Sequence, residues 1–265
     1  MIENANLLVG KKVIITGAGR GIGKGVAIEC VRHGAKVAIL DIDELLINNV
    51  VNELNDMQLG SAIGCAVDIV SEKSVNVAFA KSVEKMGGVD GVVINAGILY
   101  LAPITKIELA DWDRVIKINL TGSFLCARES ARIMKLSGNP GSIIFTSSLF
   151  GVRGGAENGA YSASKFGVIG LAQSLAAELG PEGIRVNSVC PGQVQTEMIE
   201  KLLIDRSLLT GKSTEEVRKD LVARIPSHKM GTIEEIAEPF VFLLSEMSRY
   251  VNGHSLVIDG GWQVG

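Results

Sequence analysis

The chain has 265 residues, 47% of them hydrophobic, with 31 glycines, six prolines and a net charge of −3 at pH 7. That size and apolar content support a large core, and α/β folds reach this length as one domain. The basic residues are dispersed, which argues against a patch for nucleic acid or an anionic membrane surface.

Four cysteines (Cys30, Cys65, Cys126, Cys190) lie far apart inside apolar segments, without a Cys-x-x-Cys pair. They read as buried thiols of a reducing compartment, neither a disulfide framework nor a zinc site. Three histidines (His33, His228, His254) lack metal-ligand spacing, so no metal is expected. Met1 to Gly10 contains Glu3, lacks a basic start and has no long apolar run. Neither a signal peptide nor a membrane span is expected there, and the predicted location is cytoplasmic.

In chain order, Lys11 to Thr16 is a short apolar run that stops at glycine, as a buried parallel strand does. Gly17-Ala-Gly-Arg-Gly-Ile-Gly23 follows, then a helical stretch to His33-Gly34. Val37 to Asp41 predicts a second strand, with a helix from Asp43 to Met57, and Ser61 to Val67 a third strand ending at Asp68. Ser71 to Met86 reads as a helix opened by a capping serine. Val89 to Asn95 is the fourth predicted strand, and Trp112 to Leu136 a long helix carrying Asn119 in its interior. Gly141 to Ser147 predicts a fifth strand, and a helix through Tyr161 to Leu179 comes next. Ile184 to Cys190 is the sixth strand, and Ser255 to Asp259, after a polar loop and helices, the last. This alternation predicts an α/β doubly wound parallel sheet of the Rossmann type, in one domain spanning 1–265.

Gly17, Gly21 and Gly23 fall between the first strand and first helix, where a pyrophosphate can rest on helix N-terminal amides. Their spacing, Gly-x-x-x-Gly-x-Gly, departs from the Gly-x-Gly-x-x-Gly fingerprint. Asp41 ends the next strand, eighteen residues after Gly23. A carboxylate there accepts hydrogen bonds from ribose hydroxyls and repels a 2′-phosphate, by about 4 kcal/mol per unit-charge pair at 4 Å and an effective dielectric near 20. Arg20 pulls the other way, as a cation able to hold that phosphate. Asp41 carries more weight because it ends the strand that points at the ribose. NAD is the expected cofactor.

Tyr161 and Lys165 lie four apart on a predicted helix, so they share a face one turn apart. An ammonium beside a phenol favours the phenolate, and Tyr161 is thereby expected to have a lowered pKa and to act as a general acid/base. Ser148 precedes a glycine-rich connection (Gly151, Gly154, Gly155) that can bring its hydroxyl to the tyrosine.

With Thr16 to Gly23, Asp68, Asn95-Ala-Gly97, Asn119, Ser148, Tyr161-x-x-x-Lys165 and Pro191-Gly-Gln-Val-Gln-Thr196 in order, the chain resembles the short-chain dehydrogenase/reductase family along nearly all its length. The resemblance implies a catalytic tetrad. Tyr161 exchanges a proton with the substrate oxygen and Ser148 hydrogen-bonds that oxygen. Lys165 tunes the tyrosine and holds the nicotinamide ribose, and Asn119 helps hold a relay water. It also implies that Asp68 and Ile69 frame the adenine, while Ile22, Asn95, Ala96 and Gly97 line the cofactor groove. Pro191, Gly192, Val194 and Thr196 would cover the nicotinamide carboxamide.

Residues 193–226 correspond to the family's lid. Met198, Leu202, Leu203, Leu208 and Leu209 give it either an apolar inner face or the stripe of two packed helices. Ile258 to Trp262 resembles a segment that joins subunits, so a homotetramer or dimer is expected.

The implied reaction interconverts a secondary alcohol and a ketone on a small-molecule substrate: a small polyol, sugar or hydroxyketone. One alternative is a 3-oxoacyl-carrier-protein reductase, with Arg128, Arg132 and Lys135 meeting an acidic carrier. Ala177 and Glu178 stand where such reductases often carry an Arg. The other is a nucleotide-sensing protein without chemistry, for which Ser148, Tyr161 and Lys165 together have no use.

Overall fold

The computed structural model describes residues 6–264; the ends of the expected 1–265 domain, and the first half of the N-terminal segment read above, lie outside them. Among these residues is a seven-stranded sheet of order β3-β2-β1-β4-β5-β6-β7, every pairing parallel. The strands are β1 (Lys12–Thr16), β2 (Lys36–Asp41), β3 (Ala62–Ala66), β4 (Gly91–Ile94), β5 (Gly141–Thr146), β6 (Ile184–Pro191) and β7 (Ser255–Ile258). The order reverses between β1 and β4, which opens a crevice at the carboxyl ends of those strands, the usual ligand position in such sheets.

Strand side chains alternate between two apolar layers, as the two-residue period requires. Val13, Ile15, Val37, Ile39, Val93 and Ile144 face one layer, with α1 (Gly21–Arg32), α2 (Glu44–Met57) and α9 (Ile233–Leu244). Ile14, Ala38, Leu40, Val92, Ile94, Ile143 and Phe145 face the other, with α3 (Glu72–Met86), α5 (Ser123–Ser137) and α6 (Gly159–Leu179). Burial on both faces explains why these strands read as unbroken apolar runs.

Two elements differ from the sequence expectation. The fourth strand is shorter than Val89 to Asn95, because Asn95 and Ala96 already turn their amides toward the Thr16 hydroxyl, at 3.0 and 3.3 Å. The helix expected from Trp112 begins earlier, as α4 (Leu109–Ile116), and widens into a π-helical stretch, Lys117–Gly122, before α5. Asn119 lies inside that stretch and is fully buried. Its amide bonds to a neighbouring segment and not to its own helix, and a π turn at such a point marks a functional position more often than a packing accident.

The lid carries α7 (Glu197–Thr210) and α8 (Thr214–Val222), capped by Thr196 and Ser213. Leu202 and Leu203 are buried with Leu149, Val217, Leu221, Ile225, Met230 and Trp262. Met198, Leu208 and Leu209 are exposed, so the five apolar residues do not form one inner face. Leu208 lies about 240° round the helix from Leu202, which turns it to solvent. Trp262 completes this lid cluster within the single chain.

Candidate active site

The first βα turn is built for an anion. Gly17, with φ of 62°, could not carry a side chain: a Cβ there would lie 2.7 Å from the Ala96 Cα. At Gly23 a Cβ would meet the Gly17 carbonyl at 2.3 Å, so these two glycines let strand, loop and helix close up. Gly21, φ of 56°, faces open space limited only by the Thr196 methyl. No side chain caps α1 and its first turn holds no acid. α4, α5 and α6 also lack a side-chain cap, whereas α2, α3, α7, α8 and α9 each have one. The open N-terminus of α1 fits the pyrophosphate of a dinucleotide, whose charge the helix dipole and free amides favour.

Asp41 stands at the same turn. Its carboxylate accepts from the Gly19 N–H at 3.0 Å and from the Ile42 N–H at 2.8 Å, which ties the end of β2 to the glycine loop. Arg20 caps nothing by side chain and instead reaches Glu197 of α7, Nη1 to Oε2 at 3.3 Å. Asn95 fastens the other wall, its Nδ2 donating to the Gly17 carbonyl at 3.0 Å. Asp68 accepts from the Val70 N–H at 3.1 Å and leaves the helix cap to Ser71. Ile69 packs on Gly122, where an added Cβ would come within 2.8 Å of it.

Ser148, Tyr161 and Lys165 converge at the end of β5. Ser148 opens a tight turn, accepts from the Phe150 N–H at 3.1 Å, and is hydrogen-bonded to the Tyr161 side chain. Lys165 lies with Nζ 5.7 Å from the Tyr161 ring centroid and donates to the Thr146 carbonyl at 2.8 Å. A Cβ on Gly97 would sit 3.2 Å from Asn119 Oδ1 and 3.5 Å from Lys165 Nζ, so these two side chains flank one small space.

The electrostatics differ from the sequence expectation in one respect. Burial pushes the Tyr161 phenol up, and the Ser148 hydrogen bond opposes it; no lowering by Lys165 appears. Burial also pushes the Lys165 ammonium down to about 8. The Cys190 thiol, beside Lys165 and hydrogen-bonded to Ser147, is raised to about 11 by its own burial and stays protonated. Desolvation by burial is the largest cause of both the Tyr161 and the Lys165 shift.

Asn119 is not an exposed helix residue. Its Oδ1 accepts from the Ile98 N–H at 2.8 Å, and its Nδ2 donates to the Ile98 carbonyl and to Ser164 Oγ, at 2.9 and 3.1 Å. Both amide protons are thus spent on protein. Sequence reading missed Ile98 and Ser164, the partners of this clamp, although Ser164 sits three residues after Tyr161 and donates to its carbonyl at 2.7 Å. Thr146 was equally invisible, since it acts through a backbone carbonyl, which any residue supplies.

Pro191 ends β6 beside Ile258 of β7, and Gly192 lies so close to Asp259 that a Cβ would be 2.7 Å from its Cα. Val194 is buried against Gly231, and Thr196 brings the start of the lid over the glycine loop.

The seven-stranded parallel sheet, with Ser148, Tyr161 and Lys165 gathered at its carboxyl edge, is accompanied by a match to the nicotinamide-dependent oxidoreductases of CH–OH groups, and the chain falls in that class. Residues 17–263 match the family model described as enoyl-(acyl carrier protein) reductase. The L-rhamnose 1-dehydrogenase (NAD(P)(+)) of Azotobacter vinelandii is 37% identical over 96% of this chain and 97% of its own length. The 3-oxoacyl-(acyl-carrier-protein) reductase of Aquifex aeolicus is 34% identical over 96% and 98%. The crystal structure of levodione reductase superposes with a TM-score of 0.91 at 31% identity, over 96% of this chain and 98% of that one. The chain belongs to the short-chain dehydrogenase/reductase family.

Proposed function

We propose that the protein oxidises a small polyol, sugar or hydroxyketone-type secondary alcohol, with NAD as its preferred cofactor. The meeting of Ser148, Tyr161 and Lys165 beside a cleft closed by Asp41 carries this reading. Ser148 hydrogen-bonds the substrate hydroxyl, and Tyr161 takes its proton in oxidation and returns it in reduction. The nicotinamide, when bound, supplies the hydride chemistry. Lys165 holds the nicotinamide ribose. Asn119 is a positioning residue: through Ile98 and Ser164 it fixes the two segments that flank Lys165. Gly17, Gly21, Ile22 and Gly23 hold the pyrophosphate; Asp41, Asp68, Ile69, Asn95, Ala96 and Gly97 hold the adenosine side. Pro191, Gly192, Val194 and Thr196 cover the nicotinamide.

The rhamnose dehydrogenase among the relatives supports a sugar-like substrate. The Aquifex relative favours the carrier-bound alternative. Against it, the cations that would meet an acidic carrier are already paired: Arg128 with Glu72, Arg132 with Glu129, and Lys135 with Glu182. An NADH-formation screen over sugar alcohols, aldoses, vicinal diols and 3-hydroxyacyl thioesters tests the choice. Turnover of polyols or sugars is expected, and turnover confined to thioesters rejects it. No turnover of any alcohol despite tight NAD binding restores the nucleotide-sensing alternative.

Further parts of this reading are a single domain with residues 193–226 as its lid, a cytoplasmic location, and a homodimer or homotetramer. Self-association is supported by a groove of about 320 Å³ between α5 and α6, lined by Phe124, Leu171 and Leu175.

A further inference from the structure

Arg20 is paired with a carboxylate from a distant part of the fold. Asp41 binds the Gly19 amide at 3.0 Å, one residue before it, and Glu197 in the first turn of α7 binds its guanidinium at 3.3 Å. The lid begins against the same loop, since a Cβ on Gly21 would lie 4.0 Å from the Thr196 methyl. The Arg20 and Glu197 side chains are 67% and 77% exposed, so burial locks neither and the pair can be exchanged for another.

We propose that Glu197 is a cofactor-specificity residue that acts through Arg20, competing with the 2′-phosphate of a phosphorylated dinucleotide. This rests on the NAD preference given under Proposed function. Arg20 is the one basic side chain of the loop Gly17 to Gly23. A phosphate monoester carries close to two negative charges at neutral pH and is held best by both arms of a guanidinium fork. Here one arm is taken by Glu197. A 2′-phosphate must therefore displace Glu197 or share one cation with it. NAD makes no such demand and leaves the contact between loop and lid intact. On this account the lid contributes to dinucleotide choice as well as to substrate choice.

The test is calorimetric titration with adenosine 2′,5′-bisphosphate and with 5′-AMP, on the wild type, Glu197→Gln, Arg20→Gln and the double variant. Exposed pairs are weak, so Glu197→Gln is expected to tighten the bisphosphate by about two- to fivefold and to leave 5′-AMP unchanged. The gain should vanish in the double variant. An unchanged bisphosphate affinity overturns the proposal. So does a gain that persists without Arg20, which would reflect only the loss of a negative charge. Wild-type kcat/KM for NAD and NADP is measured separately: a preference for NADP overturns the NAD reading, while the titration still decides the role of Glu197.

Discussion

Lys165 carries a large burial cost. Its buried ammonium has a pKa of about 8 against 10.5 in the free side chain, a shift that corresponds to about 3 kcal/mol. Because the folded value is the lower one, the penalty is full below pH 8. It fades as pH rises through the interval up to about 10.5, where the unfolded chain still binds the proton and the folded one does not. Loss of the Thr146 hydrogen bond offsets part of it, about 1–2 kcal/mol. Lys165→Met is thus expected to be about 1–2 kcal/mol more stable than wild type in urea unfolding at pH 7, with the advantage shrinking toward pH 10. Its turnover should fall at least about 100-fold. A Met variant less stable at pH 7 would show that the hydrogen bond outweighs burial. At the neighbouring position, Tyr161→Phe keeps the ring and removes the proton carrier. Its kcat should drop about 10²- to 10⁴-fold, with NADH affinity, read by fluorescence, nearly unchanged. Full activity in this variant would reject Tyr161 as the acid/base.

Among the elements, the glycine turn and the π-helical stretch impose the tightest limits. At Gly23 the obstacle to a Cβ is a backbone carbonyl, which no rotamer change relieves. Gly23→Ala should cost about 1–3 kcal/mol and weaken dinucleotide binding, measured by thermal unfolding with and without NAD. Asn119→Ala leaves the Ile98 amide and carbonyl without their partner, a cost of about 1–3 kcal/mol for each buried group left unsatisfied. The same variant should lower kcat more than it raises KM, because Lys165 and Gly97 lose their shared support. A purely structural Asn119 would leave the kcat of the folded fraction unchanged.

At the scale of the whole molecule, the α5 and α6 side keeps Phe124, which lines an apolar groove, and Phe166 exposed at 41% and 47%. If that face joins subunits, Phe124→Asp should lower the mass found by sedimentation equilibrium. It should change the unfolding of the isolated chain little, since the side chain is already half in water. An unchanged mass would move the interface elsewhere.

What the sequence determined by itself was local. The alternation of apolar runs and helical stretches gave away the parallel sheet, because burial on both faces leaves a mark in composition. The glycine loop, Asp41, Ser148 and the Tyr161–Lys165 pair were legible for a similar reason: special backbone angles and helical spacing are properties of neighbours in the chain. Only the tertiary structure decided how those groups behave. Asn119 became a buried clamp on Ile98, Tyr161 was raised where lowering was expected, and Arg20 was drawn to a carboxylate some 180 residues away. Desolvation and long-range pairing depend on which distant segments close over a group, and no local pattern encodes that closure.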